Sequence, residues 1–296
     1  MNPVFRTGTL AIVGRPNVGK STLMNRLIGQ KLSIVSRKPQ TTRQRVTGVF
    51  TDADCQYIFV DTPGFQNRHG GALNRVMNRN VTLALAAVDV IVCVVEAGRM
   101  GDADRAVFKL LPADRPVLAA INKIDRLANK AELLPLIASL AAEFNFVDIV
   151  PVSAAHGEGT AALLAAAAKY LPEGPPQFEA DDFTDRSERF LAAELLREKL
   201  FRNLGEELPY SIAVEIERFE QEGQLRRIFA AILVDKAAHK AMVIGRKGEK
   251  LKRISTDARH DMEKLFGGPV YLETWVKVST GWADDERALK SLGLDQ

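Results

Sequence analysis

Residues 14–21, GRPNVGKS, constrain this chain more than any other stretch. They fit Gly-x-x-x-x-Gly-Lys-Ser, follow the β-rich apolar run TLAIV (9–13) directly, and open a helical pattern at Lys20. Ordinary residue usage yields such a match in about 1% of chains this long. In the order strand, glycine loop, helix, backbone N–H groups turn inward and cradle a chain of phosphates. Gly14 and Gly19 keep side chains out of the cradle, Lys20 supplies a point charge to the β- and γ-phosphates, and Ser21 offers a hydroxyl to Mg²⁺. Arg15, Pro16, Asn17 and Val18 complete the loop and Thr22 follows it, so all are expected along the nucleotide.

The first part of the chain alternates short β-rich runs with helical stretches. VTGVF (46–50), QYIFV (56–60), VIVCVV (90–95), PVLAAI (116–121) and DIVPV (148–152) read as strands, several of them apolar throughout. Helical patterns at 20–29, 72–87, 102–111, 130–144 and 160–171 lie between them. Apolar strands alternating with helices predict an α/β doubly wound, mostly parallel sheet.

Three further segments fall at strand ends or in the loops between. DTPG (61–64) follows QYIFV, so Asp61 is expected to hold a Mg²⁺-bound water and the Gly64 amide to sense the γ-phosphate, with Thr62 and Pro63 beside the nucleotide. KPQTTRQR (38–45) offers Thr41 and Thr42, either of which could complete the Mg²⁺ shell when the γ-phosphate is present; Thr42 is the choice. NKID (122–125) ends the strand PVLAAI. The Asp125 carboxylate can accept two hydrogen bonds, from guanine N1–H and its exocyclic amine, whereas adenine would leave it unpaired. Hydrogen-bonding sites of that kind discriminate by roughly 10⁴. Asn122 and the stem of Lys123 brace the loop and cover the base, and in SAAHGEG (153–159) Ser153 and the Ala154 N–H complete it, the latter addressing guanine O6. Five segments in this order predict a GTP-binding domain, with Lys20 and Gly64 the catalytic candidates.

The 296 residues suggest two domains. Proline, glycine and acids replace the apolar periodicity at LPEGPPQFEADD (171–182), giving a domain over 1–173, a linker over 174–185 and a second domain over 186–296. The second part reads as helix (185–205), strands (211–219 and 228–234), a short β turn KAMVIG (240–245), helix (247–267) and strand (270–278). GRKG (245–248) fits the Gly-x-x-Gly loop of nucleic-acid-binding KH domains, in which small glycines let the backbone approach four nucleotides. GRMG (98–101) fits the same pattern but lacks the context. Around Gly245 and Gly248 cluster Lys236, Lys240, Arg246, Lys247, Lys250, Lys252 and Arg253, with Glu249 the only acid. Such a patch releases phosphate counterions on binding RNA, although the whole chain carries only +3.

Two cysteines, no apolar run long enough to span a bilayer and no basic-then-apolar start point to a cytosolic protein. The four histidines have no mutual spacing suited to a metal, although His239 can join the basic patch.

These motifs, together with DRSERF (185–190), LPYSIAVEIERF (208–219), MVIGRKG (242–248) and GWADDERALKSLG (281–293), make the chain resemble the Era family of bacterial ribosome-assembly GTPases over almost its whole length. The resemblance implies a P-loop GTPase domain followed by a smaller α+β type II KH domain. It also implies a monomer that turns over GTP to GDP and binds the 3′ end of small-subunit ribosomal RNA on the small ribosomal subunit. Asn17 matches the asparagine that helps hold K⁺ in K⁺-activated relatives, while Phe65 stands where Ras-like enzymes carry a water-orienting glutamine. Slow intrinsic hydrolysis is therefore expected. The tail, with Trp282, is expected near the RNA; Trp275 suits the core, and Asp284, Asp285 and Glu286 suit either a metal ion or the start of a solvated helix. Two other functions fit the same motifs: an RNA-binding module with GTP as a mere ligand, and a membrane-peripheral GTPase coupled to cell division, whose basic residues would touch the inner face of the cell membrane.

Overall fold

The computed structural model describes residues 4–36, 46–61, 79, 82–205, 208–285 and 289–290. They form two compact units: the first takes the described residues up to Asp185 except 34–36, and the second takes 34–36 together with those from Arg186 onward.

In the first unit six strands form one sheet: β1 (Arg6–Val13), β2 (Val46–Thr51), β3 (Cys55–Asp61), β4 (Val90–Glu96), β5 (Val117–Asn122) and β6 (Asp148–Pro151). Their order is β2-β3-β1-β4-β5-β6; every pair is parallel except β2 with β3. β3, β4 and β5 are buried along their whole length, so their apolar runs show no alternation. Around the sheet run α1 (Lys20–Ile28), a helical segment at 82–87 (α2), α3 (Asp102–Phe108), α4 (Leu133–Glu143) and α5 (Thr160–Ala168). Ile91, Cys93 and Val95 of β4 pack with Val107 and Phe108 of α3 and Leu140 of α4. Asp89, the charge before β4, accepts from the Thr9 N–H (2.7 Å) and Thr9 hydroxyl (2.9 Å) and so ties β1 to β4. Residues 171–185 are held to this unit: Gln56, fully buried on β3, accepts from the N–H groups of Gln177 and Phe178 (2.7 and 3.0 Å).

β1 has β3 on one side and β4 on the other, so the chain direction of successive crossovers reverses there. In open α/β sheets ligands bind beyond the carboxyl end of the strands at that switch point. The loops that leave β1, β3, β5 and β6 there carry four of the five sequence motifs.

The second unit runs α6 (Glu188–Asn203), β7 (Ile212–Glu222), β8 (Leu225–Val234), α7 (Ala237–Ile244), α8 (Glu249–Phe266) and β9 (Val270–Val278). β8 pairs antiparallel with β7 and parallel with β9. α6 is capped by the Ser187 hydroxyl, which accepts from the Phe190 N–H (3.3 Å). Ile254, Ala258 and Met262 recur every fourth residue on α8 and meet Leu196 and Leu200 of α6 and Ile228, Ala230 and Ile232 of β8. One prediction fails here. KAMVIG is not a β turn but the end of helix α7, which starts three residues earlier at Ala237 and stops at Gly245.

The opposite face of β8 carries a small second core in which Ala231 and Leu233 meet Trp282 and Leu289, with Trp275 packed alongside. Trp282 is 1% exposed, and its indole N–H donates to the Ser211 carbonyl (3.1 Å). Its ring belongs to the fold and offers no stacking face to RNA.

Candidate nucleotide and nucleic-acid sites

The phosphate loop is shaped by close approaches that only glycine permits. Gly14 has φ 150°, and a Cβ there would sit 2.4 Å from the Val94 carbonyl oxygen. Gly19 has φ 102°, and its Cβ would fall 2.3 Å from Asn122 Nδ2. The intruding amide explains the second glycine. Asn122 Nδ2 donates to the Val18 carbonyl (2.8 Å), while its Oδ1 accepts from the N–H groups of Lys123 (2.8 Å) and Ala154 (3.0 Å). One buried side chain therefore joins three motifs that lie far apart in the chain. Because the Ala154 N–H already serves Asn122, a purine O6 there would have to share that donor.

Lys20 is buried, and its ammonium donates to the carbonyls of Gly14 (2.9 Å) and Arg15 (3.0 Å). Burial pulls its pKa down to about 8, against the opposing charge of Asp61. Ser21 Oγ donates to Asp61 Oδ2 (3.0 Å), and Thr22 follows in the first turn of α1. An alcohol and a carboxylate side by side are hard oxygen donors suited to Mg²⁺. Thr41, Thr42, Thr62, Pro63, Gly64 and Phe65 lie outside the described residues.

On the base side, Ser153 Oγ donates to Asp125 Oδ1 (2.6 Å) and fixes that carboxylate. Lys123, at φ 67°, donates to the Asn17 carbonyl (2.6 Å), and Asn17 itself stands at φ 65° with its side chain exposed. Arg15 behaves unexpectedly. Its Nε–H is shared by both Asp104 oxygens (3.1 Å each), and its Nη2 donates to Glu96 Oε2 (3.1 Å) and the Arg99 carbonyl (3.2 Å). Only its backbone faces the cradle. Burial alone would raise the Glu96 carboxyl, but its bonds to Lys123 and Arg15 outweigh that and hold it below the usual range. For Asp104 burial prevails over Arg15 and the shift is upward. Arg26 of α1 also goes unnoticed in the sequence; it donates to the carbonyls of Ala154 (3.2 Å) and Ala155 (2.5 Å). A single basic residue in the last turn of a helix gave no signal of that contact.

In the second unit GRKG joins α7 to α8. Gly245 takes φ 72°, ψ −178°, a conformation essentially confined to glycine, and a Cβ would meet the Lys250 Cβ at 2.7 Å. Gly248 (φ 79°) faces open space. Lys236, Lys240, Arg246, Lys247 and Lys252 are exposed and Lys250 is half-buried, while Arg253 is tied to Asn203 Oδ1 (2.6 Å) of α6. His239 stands beside the patch, its Nδ1 3.5 Å from the Ser211 hydroxyl.

Comparison with known proteins agrees with this geometry. The family model for 50S ribosome-binding GTPases matches residues 9–123 and that for KH domains matches 207–283. GTPase Era of Nitrosomonas eutropha is 58% identical over 291 residues, 98% of each chain. The chain belongs to the Era family of GTPases. GTPase Era of Neisseria meningitidis is likewise 58% identical, over 98% of this chain and 95% of its own. Among solved structures, a single-substitution variant of Aquifex aeolicus Era bound to GDP·AlF₄⁻ superposes with a TM-score of 0.95 at 38% identity, covering 99% of this chain and 100% of that one. A structure of Era with MgGDPNP and nucleotides 1506–1542 of 16S ribosomal RNA gives the same TM-score, identity and coverage. The Era fold thus accounts for both units: a P-loop GTPase domain with a mostly parallel sheet, and a KH domain. No helix among the described residues is long and apolar enough to cross a membrane.

Proposed function

We propose that this Era-family GTPase binds the 3′ end of small-subunit ribosomal RNA through its KH unit and serves as a nucleotide-timed factor in assembly of the small ribosomal subunit. The carrying observation is the Asn122 junction, which brings phosphate loop, base loop and Ser153–Ala154 together at the carboxyl ends of the strands in a chain that also bears a Gly-x-x-Gly loop among exposed cations. The solved Era complex with MgGDPNP and a 16S ribosomal RNA fragment supports the choice of ligands.

Each residue then has a task. Lys20, held by two loop carbonyls, faces the β- and γ-phosphates, and Asp125, steadied by Ser153, accepts the two guanine donors. Ser21, Asp61 and Thr42 would hold Mg²⁺, which when bound neutralises charge on the phosphate oxygens. The exposed Asn17 side chain would lend an oxygen to K⁺. With Phe65 after Gly64 no side chain orients the attacking water at that position, so turnover rests on positioning and charge and is slow until K⁺ or a partner raises it. We place the domains at 1–173 and 186–296, with 174–185 as linker, and the protein in the cytoplasm as a monomer.

The test is calorimetry with GTP and ATP on the full chain, followed by titration of a small-subunit 3′-terminal RNA fragment with GDPNP, with GDP and without nucleotide. GTP preference and nucleotide-dependent RNA affinity are expected. Equal ATP binding would refute the site, and identical RNA affinity in all three states would leave GTP a mere ligand. Binding to anionic vesicles that survives substitution of Gly245 and Gly248 would favour the membrane function instead.

A further inference from the structure

Glu96 closes the otherwise apolar strand VIVCVVE, and it is 5% exposed. A carboxylate so deep is costly unless it is paired on both oxygens. It is: Oε2 takes Arg15 Nη2 of the phosphate loop, and Oε1 takes Lys123 Nζ of the base loop, each at 3.1 Å. Arg126 Nη1 stands 3.7 Å away on the same oxygen. Neither cation is free to wander. Arg15 is also anchored on Asp104 at the start of α3, and Lys123 on the Asn17 carbonyl. In the register of the sheet Glu96 sits directly beside Asn122, so the two residues tie the same pair of loops from adjacent strand ends.

We propose that Glu96 is a positioning residue for nucleotide: it holds Lys123 over the base and Arg15 behind the phosphate loop at the spacing one guanine nucleotide requires. Two observations stand behind this. The carboxyl lies below the ordinary range in spite of its burial, so it carries its charge throughout the neutral range and both contacts are charge-assisted. The strand end also fixes its backbone, because the Ala97 N–H donates to the Asn122 carbonyl (2.9 Å). The carboxylate touches neither base nor phosphate in this scheme and acts only through the two cations. The inference rests on the nucleotide site proposed above.

The experiment measures Kd for GDP and GTP, with kcat at saturating GTP, in the full chain and in Glu96→Gln. Loss of one charged partner is expected to weaken both nucleotides about tenfold, or ~1.4 kcal/mol, while kcat stays within about twofold. In a Lys123→Met background the same substitution should cost only about threefold, because half of its effect runs through that ammonium. A Kd change below about twofold, a fall in kcat at unchanged Kd, or an equal loss in both backgrounds would overturn the proposal. Should Glu96→Gln fail to fold, Glu96→Asp decides. One methylene shorter, it cannot hold both cations, so a Kd raised about threefold is expected and an unaltered one overturns the inference. ATP titrated against the unaltered chain separates the two claims: without guanine preference there the site itself is wrong, whereas preference with an inert Glu96 removes only this residue.

Discussion

Replacing Asn122 by alanine tests the junction on which the nucleotide site is built. The change removes three hydrogen bonds of 2.8, 2.8 and 3.0 Å from a side chain that is 2% exposed. Two of the deserted groups, the Val18 carbonyl and the Ala154 N–H, belong to buried residues. A buried polar group without a partner costs about 1–3 kcal/mol, so these two together cost about 2–6 kcal/mol. The emptied space beside Gly19 can admit water, which argues for the lower half of that range. Taking ~3 kcal/mol, and letting nucleotide binding restore the loop geometry that Asn122 otherwise supplies, the Kd for GDP should rise about a hundredfold. A fluorescent GDP analogue measures the affinity, and urea unfolding of the same samples measures stability. A Kd within threefold of the parent in a folded variant would refute the reasoning, since the loops would then be held together by something else.

Other outcomes follow from the same structure. Burial leaves Lys20 with a pKa of about 8, so the free protein loses that proton as pH rises through 8 while bound phosphates favour keeping it. Binding should therefore take up a proton, and GTP affinity should be about fourfold weaker at pH 8.5 than at pH 7; calorimetry in two buffers of different ionisation enthalpy reads the uptake directly. Arg246→Asp with Lys247→Asp changes two exposed side chains and should lower RNA affinity at least about tenfold and flatten its salt dependence, with the melting temperature unmoved. Gly245→Ala should destabilise by about 1–3 kcal/mol, because both its backbone conformation and Lys250 oppose a Cβ. Gly248→Ala, facing open space, should cost only about 1 kcal/mol. The ranking is checked by urea midpoints.

Much of the first unit could be read from the chain because its demands are local. Apolar strands ending in Gly14, Asp61, Asn122 and Ser153 state both the sheet and the place where its loops meet. The KAMVIG segment shows the limit. A short apolar run does not distinguish strand from helix, and the helix formers Ala237 and Ala238 just before it, with Gly245 as its stop, carried the missing information. The burial of Trp282 is not legible either, because sequence does not reveal which side of β8 a tail will cover; Ala231 and Leu233 on that side leave an apolar patch that its ring fills. The Arg15 clasp was invisible for a different reason. Glu96 and Asp104 each look like an ordinary charge at an element end, and only their convergence on one guanidinium gives them a purpose.

The most direct measurement concerns the carboxylate of Asp125. In Asp125→Asn the acceptor for the guanine amine becomes an amide that can donate to the C2 carbonyl of xanthine. The variant should lose GTP, bind XTP in its place, and regain its nucleotide-dependent RNA affinity when the xanthine analogue is supplied. If it bound GTP as the parent does, or if RNA binding stayed the same whichever nucleotide it held, guanine recognition at this site would not be what drives the protein.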